Sequence, residues 1–185
     1  MYKITTKRII LIAIILALIV TASAYLCSLE FPASHPSSSE AEEASAAAEI
    51  APAVLRGMDK LVVASGPDAL QRVKHSHTGN IEQVSDVAIV HYMKEDRLLT
   101  LWTTLYPNET IAWNENEKMV LGIRKWGGNW TSELKEITVA GKQVYQTSPD
   151  GMSYHYFWTD DDWIFYIIPH NFSQDDVVAI IGAIP

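Results

Sequence analysis

The run from Ile9 to Leu29 constrains this chain most. Its 21 residues carry no charge, and Lys3, Lys7 and Arg8 precede it. A helix rising about 1.5 Å per residue makes of it a rod of roughly 30 Å, the thickness of one hydrocarbon core. Basic residues before such a run keep the N-terminus cytoplasmic and send the remainder outside. Residues 1–29 are thus expected to be a signal anchor, a single transmembrane helix that meets the membrane through residues 9–29. Ala22-Ser23-Ala24 adds a second outcome. A small–x–small triplet after an apolar run suits signal peptidase, and cleavage after Ala24 would give a secreted protein. A buried helix of a soluble domain fits poorly, because nothing polar interrupts Ile9–Val20.

Cys27 is the only cysteine, so the chain has no intramolecular disulfide, cysteine metal cluster or CxxC redox pair. Leu26 stands before it, where a lipidation site needs a small residue. Residues 30–51 are Ser, Ala, Glu and Pro, with too little apolar surface to offset ordering entropy, and read as a flexible spacer. All 22 acidic residues but only 11 of the 14 basic ones lie beyond residue 29, a net charge of −11. That field repels a phosphate backbone, which excludes nucleic acid as a natural partner, and it disfavours an anionic membrane surface.

Residues 52–185 have the composition of a globular domain. Pro52 to Ala64 places Val54, Leu55, Met58, Leu61 and Val62 on one helical stripe. Ser65-Gly66-Pro67-Asp68 ends that element and starts a helix at Asp68–His75. Val84–Met93 alternates as a strand, Lys94-Glu95-Asp96-Arg97 turns, and LLTLWTTLY returns. Asn108 caps a helix with acid early and base late, its apolar face Ala112, Met119, Val120 and Ile123, and Gly127-Gly128 stops it. Strands at Ile137–Val139 and Gln143–Tyr145 hinge at Ala140-Gly141. Tyr154–Thr159 and Trp163–Ile168 form a last hairpin around Asp160-Asp161-Asp162, and Ser173 with Asp176 forms a capping box for the final helix. The expected class is α+β, an antiparallel sheet with helices packed on one face.

The two long hairpins look alike. His91-Tyr92 and His155-Tyr156 each lead through an acidic turn to a strand, a proline, an N-x-S/T triplet and a helix. This suggests a duplicated strand–strand–helix unit, although hairpins and caps drawing on the same few residues would produce the same echo.

The pattern TVAGKQVYQT, YHYFW, WIFYII and SQDDVVAIIGAI is similar to extracytoplasmic α+β domains of archaeal and bacterial membrane-anchored proteins. The resemblance spans roughly residues 66–184. It implies an outside location and this architecture, and brings no active residue with it.

Local signatures of chemistry are few. There is no phosphate loop, no G-x-S-x-G elbow and no H-E-x-x-H. Three consecutive aspartates in a tight turn cannot all point inward, so Asp160–Asp162 read as a solvated turn rather than a calcium cage. His75 and His77 lie on different sides of a helix end, and His91 and His155 read as sheet residues. No catalytic residue, metal or cofactor is expected. Trp126 and Trp130 flank Gly127-Gly128, a composition that stacks on sugar rings or grips a partner, or else closes the core edge. Asn108, Asn129 and Asn171 sit in glycosylation triplets, and two of these triplets also serve as helix caps. The function expected is a tethered, non-catalytic module that binds an envelope protein or a glycan; the alternatives are an envelope enzyme with dispersed residues and a carbohydrate-binding module using Trp126 and Trp130.

Overall fold

The computed structural model describes residues 45–76 and 81–185. The expected anchor at residues 9–29 lies outside the described residues. Among the described residues, no helix is long and apolar enough to cross a membrane.

Eight strands make one sheet: β1 (Val54–Leu55), β2 (Met58–Ser65), β3 (Asp86–Lys94), β4 (Arg97–Leu105), β5 (Lys135–Val139), β6 (Lys142–Thr147), β7 (His155–Asp160) and β8 (Trp163–His170). Their spatial order is β1-β2-β3-β4-β8-β7-β6-β5, with every pair antiparallel. Among the described residues, five helices accompany them: α1 (Ala46–Ile50), α2 (Gly66–Ser76), α3 (Glu109–Trp126), α4 (Asn129–Glu133) and α5 (Gln174–Ala183). The α+β class is as expected.

The order of strands contains a pseudo-two-fold. The fourth residue of β2 faces the residue fourth from the end of β3, Leu61 opposite His91. The fourth residue of β6 faces the residue fourth from the end of β7, Tyr145 opposite Phe157. The fifth residues of β4 and β8, Leu101 and Ile167, face each other at the centre. The turns repeat as well. Arg56-Gly57 and Ala140-Gly141 both have positive φ throughout, whereas Glu95-Asp96 and Asp161-Asp162 have it at the first residue only. Mirror-image turns of this kind match the twist of the strands they join. The strands thus repeat in topology, register and turn geometry, but the expected strand–strand–helix repeat is incomplete, because α3 packs on one face of the sheet and α5 on the other. The two His-Tyr pairs are not its matching positions, since Tyr92 corresponds to Trp158 and Tyr156 to Val90.

Helices cover both faces of the sheet, which corrects the expectation of one covered face. Runs such as Val87–Val90 and Ile164–Ile167 are apolar on both sides of the pleat and need cover on both. On one face, Tyr92, Leu99, Leu101, Trp158, Phe165 and Ile167 pack with Val177, Ile180 and Ile181 of α5. On the other, Val87 and Ile89 meet Ala69 and Val73 of α2, and Ile164 meets Ala112 of α3. Along α3 the buried positions are Ala112, Asn116 and Val120, spaced by four. Asn116 is 3% exposed, and its Oδ1 has no hydrogen-bond partner among the described residues.

Two sequence expectations fail near the start of the domain. Pro52 to Ala64 is the β1–β2 hairpin and not a helix, because Arg56 (φ 54°) and Gly57 (φ 74°) make a two-residue turn. The folded part also starts earlier than Pro52. α1 lies within the segment read as spacer, and Ala47 and Ala51 are buried. The sheet holds it by the main chain. Asp86 accepts from Ser45 Oγ (2.8 Å) and Ala47 N (2.9 Å), Lys60 donates to the Ala48 and Ala51 carbonyls, Thr103 to Ala47, and Tyr92 to Pro52.

Candidate binding groove

β6 leaves the sheet at Thr147, and the chain re-enters it at His155. The loop between them is prefolded by its own side chains. The Asp150 carboxylate accepts from Met152 N (2.8 Å), Ser153 N (2.6 Å) and Ser153 Oγ (2.9 Å), while Ser148 Oγ accepts from Gly151 N (2.9 Å). Those donors stabilise the anion and hold its pKa well below the usual carboxylate range. Gly151 takes φ 73°, which a glycine adopts without strain. Met152 is left 80% exposed at the tip.

Opposite this loop, β8 ends at His170 and hands over to α5 through Asn171 and Phe172. Asn171 has φ 60° and donates Nδ2 to the Asp96 carbonyl (2.9 Å), tying the connection to the β3–β4 turn. The Arg97 guanidinium lies 5.8 Å from the centre of the Phe172 ring. Ser173 accepts from Asp176 N and donates to its carboxylate, the capping box expected for α5. Between the two walls lies a groove of about 580 Å³. Its lining includes Ser153, Tyr154, His155, His170, Asn171, Phe172 and Gln174, and no Asp, Glu, Lys or Arg takes part.

His155 joins the groove to the sheet behind it. Its Nδ1 lies 2.6 Å from the Tyr166 hydroxyl, and the Trp130 ring meets the imidazole edge-on at 4.9 Å. Burial depresses the imidazole pKa below its ordinary value, and the Asp150 charge opposes this in part. Burial also raises the Tyr166 phenol. Both groups are thus neutral near pH 7. The phenol and Nδ1 share one hydrogen bond, whose direction follows the imidazole tautomer. Tyr166 stands in a cross-strand row of stacked rings, Trp102–Tyr166–Phe157–Tyr145, with centroids 5.3, 6.0 and 5.3 Å apart. Such a row keeps the backing of the groove stiff.

The residues singled out in the sequence scatter around this feature. Trp130 is half-buried and touches His155, whereas Trp126 is 76% exposed with the Lys125 ammonium 4.9 Å above its ring. Asn108, Asn129 and Asn171 are exposed. Asn108 Oδ1 accepts from Ile111 N as the cap of α3, and Asn129 opens α4. Asp160 belongs to β7 and pairs with Lys142 (2.6 Å), leaving Asp161-Asp162 as the turn. His75 is exposed at the end of α2, and His77 lies outside the described residues. His91 and His155 share a cross-strand row but are separated by Thr100 and Ile168, so they do not form a pair.

Sequence reasoning missed the groove itself. Ser-Pro-Asp-Gly is legible as a turn and Ser173 as a cap, but nothing local says that segments some twenty residues apart face each other. Comparison of the chain with protein-family models, curated proteins and solved structures gives no match.

Proposed function

We propose that this is a membrane-tethered extracytoplasmic protein whose α+β domain is a non-catalytic binding module, taking its ligand in the groove between the Ser148–Ser153 loop and the β8–α5 connection. The uncharged run Ile9–Leu29 behind three basic residues supports one transmembrane helix with a cytoplasmic N-terminus. Carbonate-washed membranes should retain the full-length chain; recovery of only mature chains starting at Tyr25 would replace the tether with secretion. An exported domain of this kind is a substrate for glycosylation at the exposed Asn108 and Asn129 more than at Asn171, whose amide nitrogen donates to the Asp96 carbonyl.

The observation that carries the binding reading is the preformed groove with an uncharged lining. General acid–base chemistry draws on groups whose pKa values are set apart, most often with a carboxylate among them. Here the carboxylate near His155, Asp150, is already taken up by the Met152 and Ser153 amides and the Ser153 hydroxyl, which favours binding over turnover. Trp126 and Trp130 supply a second platform for stacking, and Trp130 backs the groove through His155. A ligand of the groove should raise the melting temperature of the full-length protein by mass action and be recovered intact. Recovery of a chemically altered ligand would move the domain to the alternative reading, an envelope enzyme.

A further inference from the structure

Taking the groove as the binding site, we infer that its ligand is a neutral carbohydrate, a short oligosaccharide held across the Tyr154 ring. Charge removes the first set of competitors. An anionic ligand needs an ammonium or guanidinium to replace its lost hydration, and a cation needs a carboxylate. The lining itself offers neither, and Arg97, beside Phe172, faces the Asp176 carboxylate (3.9 Å). Asp150 already receives the Met152 and Ser153 amides and the Ser148 and Ser153 hydroxyls.

Polarity removes a second set. A purely apolar ligand would cover the Gln174 amide nitrogen, whose Oε1 accepts from the Tyr156 hydroxyl (3.4 Å), and the Asn171 side-chain carbonyl without offering either a partner, at a cost for each. A sugar ring has apolar C–H faces and a rim of hydroxyls that both donate and accept. Tyr154, Phe172 and Met152 suit the faces; Ser153, Asn171 and Gln174 suit the rim. An extended peptide is recognised most readily by adding to an open strand edge. β7 has no such edge at the groove, because β6 pairs with it on one side and β8 on the other, and the short β8 edge beyond Ile167 carries Pro169, which has no N–H to offer. The walls are also set before binding, by the Asp150 turn and the Asn171–Asp96 link, so little ordering entropy is lost there. A volume of about 580 Å³ lies within the range of small-molecule sites.

The test uses the full-length protein in detergent, isothermal titration calorimetry and tryptophan emission, to which Trp130 against His155 contributes. The probes are neutral gluco- and N-acetylglucosamine oligosaccharides, an oligogalacturonate and a neutral Ser/Asn/Gly peptide. At least one neutral sugar should bind, about tenfold or more tighter than the oligogalacturonate and the peptide, roughly 1.4 kcal/mol. Tyr154→Ala should weaken it about tenfold, Tyr154→Phe by no more than about threefold, and Gln174→Ala by about threefold to tenfold, as befits stacking plus a rim hydrogen bond. Gln174 is exposed in the first turn of α5, so its variant stays informative should Tyr154→Ala fail to melt cooperatively. A charged sugar or the peptide binding tightest, with sensitivity to Tyr154 and Gln174, overturns the ligand class and leaves the groove standing as a site. Binding that Trp126→Ala abolishes and the groove variants do not affect overturns the site. No binding by any probe overturns both.

Discussion

Replacing Asp86 by alanine should undock the start of the domain. α1 has five residues, far too few to be helical alone. Its order comes from the sheet, where the Asp86 side chain holds both its cap residue and its first turn. The carboxylate accepts from Ser45 Oγ at 2.8 Å and from Ala47 N at 2.9 Å. Hydrogen bonds to a charged group contribute about 1.5–3 kcal/mol each. These two share one anion, so they do not add fully, and the site is partly solvated. We expect a loss of about 2–4 kcal/mol for Asp86→Ala, and about 1 kcal/mol for Asp86→Asn, which keeps an acceptor. For a domain of this size that lowers the melting temperature by about 10 °C in the alanine variant. Calorimetry on the full chain gives the shift, and amide exchange at Ala47 and Ala48 locates it. A melting temperature within about 2 °C of the parent, with the Ala47 amide equally protected, would refute the idea that Asp86 anchors this segment.

Three further outcomes follow from single side chains. Asn116→Ala should raise stability by about 0.5–1.5 kcal/mol, since it removes a buried carbonyl without a partner and improves helix propensity; a loss above about 1 kcal/mol in urea titration would mean that the amide is satisfied. Asp161 sits exposed at φ 50°, a conformation Asn tolerates and Val does not. Asp161→Asn should therefore stay within about 0.5 kcal/mol and Asp161→Val should cost about 1–2 kcal/mol, and equal melting of both variants would contradict the turn geometry. His155, with its folded pKa below the ordinary value of 6.5, favours the fold while neutral. Its contribution is complete above pH 6.5 and declines as pH falls from there through its lower folded pKa. His155→Gln should flatten the fall in melting temperature between pH 7.5 and 5, and an unchanged slope would remove His155 as its source.

Much of the second half of the domain is legible in the sequence because its signals are local. Asn108 and Ser173 cap the helices they were expected to cap, and Ala140-Gly141 and Asp161-Asp162 turn hairpins whose strands lie next to one another in the chain. The stretch before Gly66 misleads for a physical reason. Val54, Leu55, Met58, Leu61 and Val62 satisfy a helical period and a two-residue hairpin equally well, and Arg56-Gly57 is the only cue that decides between them. α1 is hidden because the partner that stabilises it, Asp86, lies 41 residues beyond Ser45. Cover on both faces was foreshadowed by apolar runs such as WIFYII, which do not alternate. The groove was not legible, since its polar rim is assembled from a loop and a helix start whose meeting depends on the whole sheet.

The central seam also sets the order of events during synthesis. β4 ends at Leu105, and its neighbour β8 begins only at Trp163. At about 5–20 residues per second the ribosome needs roughly 3–12 s to supply that partner. Throughout this interval the β3–β4 hairpin is complete along one edge while the Leu99–Leu101 edge stands unpaired, a template for any other extended chain. Nascent chains of this protein thus pass through a window in which two of them can pair seam to seam, as β4 later pairs with β8. The hazard ends when the second half arrives, because a partner on the same chain then outcompetes any partner in solution.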